Sequence, residues 1–341
     1  MTIAGDTGWS GRFWMRTGPR VYCRKDCATV RIVGESLKVT YMDGRAPPPV
    51  ANREQTRTVS AWGADSQQDL VRLRIGIIGD GSVGGLINDT LARTGFEDLM
   101  VIDYDHIEQH NLDRLTYATR ADIGQLKVEV QARHLAARAT ADPFRIEPIA
   151  AAVYEDEGFR AALDCYVLFA CVDRTWGRYV LNLSAYAHLI PVIDGGISVR
   201  TNRLGKLAAA DWRAHTATVG RPCLQCLGHY DPGLVQTERE GRLDDPTYIA
   251  GLPKDHPLKS RENVFAFSMS CASMQMLHML ALTVAPLDQP NPGAQIYHFV
   301  GNITEPPAYG SGHPECQFPA LTAFGDAVGI QPTGFRPDLN R

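Results

Sequence analysis

Gly79-Asp80-Gly81-Ser82-Val83-Gly84 fits the spacing G-x-G-x-x-G, a turn in which backbone N–H groups at the start of a helix face phosphate oxygens. Nineteen residues after Gly84 stands Asp103, placed where an acidic side chain accepts hydrogen bonds from ribose hydroxyls. Together they point to a nucleotide whose phosphates lie against Gly79, Gly81, Ser82 and Gly84. The same fingerprint serves nicotinamide- and flavin-linked oxidoreductases. What argues for other chemistry is the block that follows: Asp103-Tyr104-Asp105, Asn111-Leu112-Asp113-Arg114 and Gly124-Gln125-Leu126-Lys127. Hydride transfer has little use for so many polar and cationic groups, whereas a reaction at phosphorus spreads charge that Arg, Lys and metal stabilise. Each residue also has a structural reading, Arg114 and Lys127 as solvated surface charges and Asp105 as a turn cap.

Sulfur is the second set. The chain has eight cysteines, at 23, 27, 165, 171, 223, 226, 271 and 316. Without an export signal their expected state is reduced thiol, so Cys223-Leu224-Gln225-Cys226 suggests metal ligation or redox work before a structural disulfide. Cys271 lies in the apolar run Phe265 to Leu282 and reads as a core residue, because buried apolar thiols are poor nucleophiles. Cys23 and Cys27 are remote alternatives for a nucleophile.

The elements that must position these groups follow from periodicity. Arg74 to Gly79 is a short apolar run ending in glycine, as expected of a buried parallel strand. From Ser82, apolar residues at Val83, Leu86, Ile87 and Leu91 share one helical face. Leu99 to Ile102, Phe144 to Ile149, Cys165 to Val172 and Pro191 to Ile193 read as further strands, the third nearly all apolar and therefore central. Helices are expected at 66–73, Lys127 to Ala139, Arg174 to His188 and Asn263 to Leu282. This alternation predicts an α/β, Rossmann-like, doubly wound and mostly parallel sheet, with ligands beyond the carboxyl ends of its strands. Residues 1–56 read as a small N-terminal appendage with one strand pair, Ala28 to Val33 and Ser36 to Tyr41. Residues 57–341 read as the main domain, with a mobile loop over about 229–260.

At 44% apolar and 21% charged residues over 341 positions, the composition is that of a globular chain with material for a sizeable core. A formal charge of −4 argues against an electrostatic nucleic-acid binder. No apolar run approaches the roughly 20 residues of a bilayer crossing, so no membrane association is expected and the location is read as cytoplasmic.

The ordered motifs resemble the ubiquitin-activating-enzyme-like adenylyltransferases, including the sulfur-carrier activators ThiF, MoeB and HesA. The glycine turn, D-x-D, N-x-x-R, G-x-x-K and an Asp ending the fourth strand carry the resemblance, which runs from about Arg57 to Cys316 and is densest over 75–196. It implies a Rossmann-like fold and ATP-dependent adenylation of the C-terminal carboxylate of a ubiquitin-like, β-grasp carrier, by a homodimer. A peptide substrate recruited by residues 1–56 is the alternative. The resemblance gives Asp103 as ribose ligand, Asn111, Arg114 and Lys127 as phosphate-facing groups, Asp173 as the catalytic aspartate holding magnesium, and Arg57 as the arginine reaching the neighbouring subunit, with Arg53 its rival. Arg174 departs from the Asn that relatives often carry after that aspartate. Many relatives hold a structural zinc with a second C-x-x-C. Here His313-Pro314-Glu315-Cys316 is the late candidate, making Cys223, Cys226, Cys316 and His313 the expected zinc ligands in a C-terminal region, with His229 a competing fourth. No cysteine lies between Cys226 and Cys271, so adenylation is expected without a thioester on that loop. A sulfur donor or conjugating enzyme would take the product onward.

Overall fold

The structure is a computed structural model that describes residues 2–3, 9–50, 52–244, 250, 263–285, 292–306 and 315–328. In chain order its strands are β1 (Thr2–Ile3), β2 (Trp9–Ser10), β3 (Arg12–Gly18), β4 (Val21–Asp26), β5 (Thr29–Val33), β6 (Leu37–Tyr41), β7 (Ile75–Ile78), β8 (Asp98–Ile102), β9 (Arg145–Ile149), β10 (Val167–Ala170), β11 (Val192–Thr201), β12 (Leu207–Ala217), β13 (Gln295–His298) and β14 (Ile303–Glu305). Its α-helices are α1 (Thr56–Trp62), α2 (Ala64–Val71), α3 (Ser82–Thr94), α4 (Lys127–Ala136), α5 (Asp156–Leu163), α6 (Thr175–Ala187), α7 (Pro232–Arg239) and α8 (Phe265–Thr283).

Every residue of β7 and β10 is buried, which requires neighbours on both edges and layers on both faces. The sheet supplies the edges, in the order β14-β13-β12-β11-β10-β7-β8-β9. From β9 to the start of β11 the pairings are parallel. From β11 to β14 they are antiparallel. Alternation along β10 divides the core: Leu168 and Ala170 pack with Trp176, Val180 and Leu181 of α6, while Val167 and Phe169 pack with Ile87 and Leu91 of α3 and Met276 and Met279 of α8. Each such fully buried large side chain contributes about 1.5–3 kcal/mol. The expected doubly wound α/β sheet, with Cys165 to Val172 at its centre, is the fold observed.

Several local expectations are corrected. Pro191 to Ile193 opens a ten-residue strand that continues through Asp194-Gly195-Gly196 to Thr201 and pairs with β12; the glycines hid it, since they weaken strand propensity. The expected loop over 229–260 contains α7, started by the Asp231 side chain accepting the Gly233 N–H and by Pro232 in the first turn; residues 245–249 and 251–260 lie outside the described residues. Residues 1–56 carry two further antiparallel pairs, β1–β2 and β3–β4, besides the expected β5–β6 pair. The β5–β6 hairpin packs on the main core, with Leu37 buried beside Met279 and Leu282 and Thr218 Oγ1 donating to the Gly34 carbonyl.

The sequence reading of apolar runs is also corrected at α8, which has 19 residues and a mean hydropathy of 1.3, enough by length and composition to cross a bilayer. It packs against α3, β11 and β12. Its buried Gln275 donates to the Ile193 carbonyl and His278 bonds Thr216, as expected where a core helix carries polar groups.

Candidate nucleotide and metal sites

The glycine turn is built where β7 ends. Gly79 has φ +95°, and a Cβ there would lie 2.6 Å from the Cys171 carbonyl oxygen. A Cβ on Gly84 would lie 2.0 Å from the Gly79 carbonyl oxygen, so both positions admit only glycine. Gly81 is different, because a Cβ there would meet nothing within 4 Å. As N-cap of α3 it gives no side-chain cap, so no capping side chain occupies the helix's first N–H groups, which a helix start can offer to phosphate.

Asp103, directly after β8, holds that turn. One carboxylate oxygen accepts the Asp80 N–H at 2.6 Å and the other the Asp105 N–H at 2.8 Å. Each oxygen keeps capacity for a further donor, so the acid can anchor the turn and receive ribose hydroxyls together. Asp105 bonds the Lys127 ammonium at 2.6 Å, which answers whether Asp105 only caps its turn. Lys127 is buried at the first position of α4 and is no surface charge. Burial opposes its charge, but Asp103 and Asp105 outweigh that and raise its pKa above the ordinary lysine value. Burial also raises Asp103, with Lys127 pulling the other way.

The remaining groups are more dispersed. Asn111 is buried and its side-chain oxygen accepts the Glu108 N–H at 3.0 Å, so half of its amide is committed to its own turn. Arg114 donates to the His110 carbonyl at 2.8 Å and to Asp113 at 3.0 Å, bonds within its own loop. Asp173 is exposed beyond the end of β10, the strand beside β7. Arg57 is exposed on α1, away from these bonds.

Sequence reading missed Asp80. It is wholly buried, its carboxyl accepts from Asn88 at 3.0 Å, and its carbonyl accepts the Tyr117 hydroxyl at 2.5 Å. Burial, with Asp103 adjacent, holds its carboxyl far above the usual range. It also missed a second buried group: Arg178 Nε lies 2.9 Å from Asp194, whose other oxygen meets His229 Nδ1 at 2.8 Å. Burial opposes the Asp194 charge, yet Arg178 and His229 depress its pKa strongly. The Asp-Gly-Gly triplet was the only sequence signal for it.

Of the expected zinc ligands, the sulfurs of Cys223, Cys226 and Cys316 lie within 4.8 Å of one another, with Cys223 and Cys316 at 3.4 Å and the Cys226 N–H donating to the Cys223 sulfur. Thiolates around zinc at ~2.3 Å stand roughly 3.8 Å apart, so the cluster fits. Burial pushes the Cys223 thiol up to about 12, a cost that a bound cation offsets by favouring thiolate. His313 lies outside the described residues. His229 is not among the groups that lie within 4.8 Å of one another in this cluster; its Nδ1 instead meets Asp194. Cys271 is buried with its thiol raised to about 12 by burial, the core residue expected.

A model of the ThiF family matches residues 53–317, a span that includes the glycine turn, Lys127, Asp173 and all three clustered cysteines. The chain belongs to the ThiF family. Among the relatives of this ThiF-family chain, molybdopterin-synthase adenylyltransferase of Escherichia coli is 28% identical over 48% of this chain and 61% of its own length. The SAMP-activating enzyme E1 of Haloferax volcanii is 27% identical over 48% and 57%. The match thus spans about three fifths of these relatives' length. E. coli MccB, solved with ATP, superposes with a TM-score of 0.57 at 17% identity over 78% of this chain and 74% of that one, a likeness of fold.

Proposed function

We propose that this ThiF-family chain adenylates the C-terminal carboxylate of a ubiquitin-like or sulfur-carrier protein with ATP, releasing pyrophosphate. The observation that carries the reading is the bonded set Asp80–Asp103–Asp105–Lys127 beneath the glycine turn. It groups an acid suited to ribose, a turn suited to phosphate and a buried cation at the ends of adjacent strands β7 and β8 and the start of α4. Such grouping serves reaction at phosphorus, where catalysis rests on positioning and charge stabilisation.

In this reading ATP lies over Gly79 to Gly84 with its ribose at Asp103. The acceptor carboxylate, ionised at neutral pH and so needing no general base, attacks the α-phosphorus. The bond to the bridging oxygen breaks and pyrophosphate leaves. Lys127 and Arg114 stabilise the developing charge, Arg114 by leaving its bonds to His110 and Asp113, with Asn111 beside them. Asp173 would hold magnesium, which supplies charge neutralisation on phosphate oxygens. Arg57, exposed on α1, would complete the site of a second copy in a homodimer. Cys223, Cys226 and Cys316, with His313, would hold a structural zinc. A cytoplasmic setting, with a sulfur donor or conjugating enzyme downstream, fits a protein acceptor.

A peptide acceptor is the second reading. It is favoured by the β3–β4 hairpin, where Trp14 and Tyr22 are 60% and 61% exposed, aromatic surface of the kind that marks interaction sites.

Exchange of labelled pyrophosphate into ATP, with carriers ending in Gly-Gly, tests the proposal. Exchange with a peptide and no carrier favours the second reading, and NAD-dependent turnover without exchange removes both. Asp173→Asn is expected to abolish exchange; retained activity removes the magnesium assignment.

A further inference from the structure

The sheet sets out the site in an order. Asp103 follows β8, the phosphate turn follows β7 and Asp173 follows β10; the next strands outward are β11 and β12. Register carries this order beyond the parallel region. Ala170 lies opposite Asp194, and Gly196, two residues further along β11, lies opposite Arg213 on β12. Arg213 therefore stands at the carboxyl-end rim of the sheet, on the side of Asp173 away from the ribose acid.

Its side chain is partly exposed and lies over the backbone of Gly196, where a Cβ would come within 2.9 Å of the guanidinium carbon. One terminal nitrogen donates to the His229 carbonyl at 3.0 Å. Nε is buried without a hydrogen-bond partner, and no carboxylate is within ion-pair distance of Arg213 among the described residues. Arg178, by contrast, is matched by Asp194. Asp194 is thus taken by Arg178 and His229, and Arg213 has no ion-pair partner of its own among the described residues. Burial pulls the Arg213 guanidinium below its ordinary value, Asp194 pulls it partly back, and Arg178 adds repulsion. A desolvated cation with spare donors is relieved by an anion, and a planar guanidinium suits a carboxylate.

We propose that Arg213, laid over Gly196, is a specificity-determining residue that binds a carboxylate of the acceptor at the far end of the site from the ribose. This rests on the proposed adenylation. The nucleotide is the competing source of an anion, but its phosphates are already provided for by the turn after β7, while the Arg213 guanidinium lies over Gly196 of β11, next to the strand that Asp173 follows.

The test uses the full chain and a short peptide ending in Gly-Gly, as free acid and as amide. Calorimetry is expected to show the free acid binding, with affinity lowered roughly 10–100-fold by Arg213→Met. Gly196→Ala is expected to do the same while leaving the arginine in place, because it only displaces the flexible guanidinium. Both variants should bind a non-hydrolysable ATP analogue within about twofold of the parent. Phenylglyoxal labelling of Arg213, read by peptide mass spectrometry, should be slowed by the free acid and not by the amide or by ATP. Equal binding of acid and amide, no binding of either, or unchanged affinity in both variants overturns the proposal. Protection by ATP alone also overturns it and makes Arg213 a nucleotide ligand. These readouts need no turnover, so absent pyrophosphate exchange with carboxylate-dependent binding would remove the adenylation reading and leave Arg213 standing.

Discussion

Asp103 accepts the backbone N–H of Asp80 at 2.6 Å, so the acid expected to receive the ribose also fixes the turn expected to receive the phosphates. Asp103→Ala should raise the dissociation constant of an ATP analogue at least about tenfold, since a hydrogen bond to a charged group contributes about 1.5–3 kcal/mol. Calorimetry checks this, and unchanged affinity would separate the two roles.

Asp80 has a raised folded pKa caused by burial and by Asp103. A raised value means that its contribution to stability is fully present below the unfolded aspartate range near 4 and is lost as pH rises toward the folded value. Asp80→Asn keeps the shape and the acceptor for Asn88 without that loss. Its melting temperature relative to the parent should therefore climb between pH 5 and pH 8, whereas Asp80→Ala should be lower throughout.

Lys127→Met keeps the buried stem and removes the cation from Asp105 and Asp103. The expected result is a folded chain by circular dichroism with pyrophosphate exchange down roughly 10²–10³-fold, the scale for losing one electrostatic stabiliser. Exchange at the parent rate would return Lys127 to a structural role.

Cys223→Ser should lose the metal that atomic emission is expected to find in the parent chain. At free zinc near 1,000 times Kd the lost stabilisation is about 4 kcal/mol, and a chelator should lower the parent's melting temperature but not the variant's. A metal-free parent chain would make the three thiols a reduced cluster.

Burial lowers His215 to about 3 and His278 to about 4. Depressed values mean that stability is full above the unfolded histidine pKa near 6.5 and is lost as pH falls toward the folded values. Denaturant titrations from pH 7 to pH 4.5 should show a loss of about 1.4 kcal/mol per pH unit for each histidine, superimposed on carboxylate effects. His278→Gln should shed one share of that slope.

Much of the site was legible in the sequence because its signals are local. A glycine needed at φ +95° and a glycine pressed against a carbonyl leave a fixed spacing in the chain, and apolar periodicity marked the strands and helices that flank it. The sequence alone determined the glycine turn, the acid after the second strand, the buried central strand and the family. It could not determine which acid meets which donor, because Asp80 and Asp103 come together only through the pairing of β7 with β8. Nor could it separate Lys127 from a surface lysine or set Arg213 over Gly196; Cys223, Cys226 and Cys316 it did group, through the family resemblance, and the fold brings Cys316 to Cys223 across 93 positions. Those relationships depend on strand order and register, where a shift of one residue turns a side chain to the opposite face. Tertiary packing therefore decided which charges are buried, which are matched, and which remain available to a ligand.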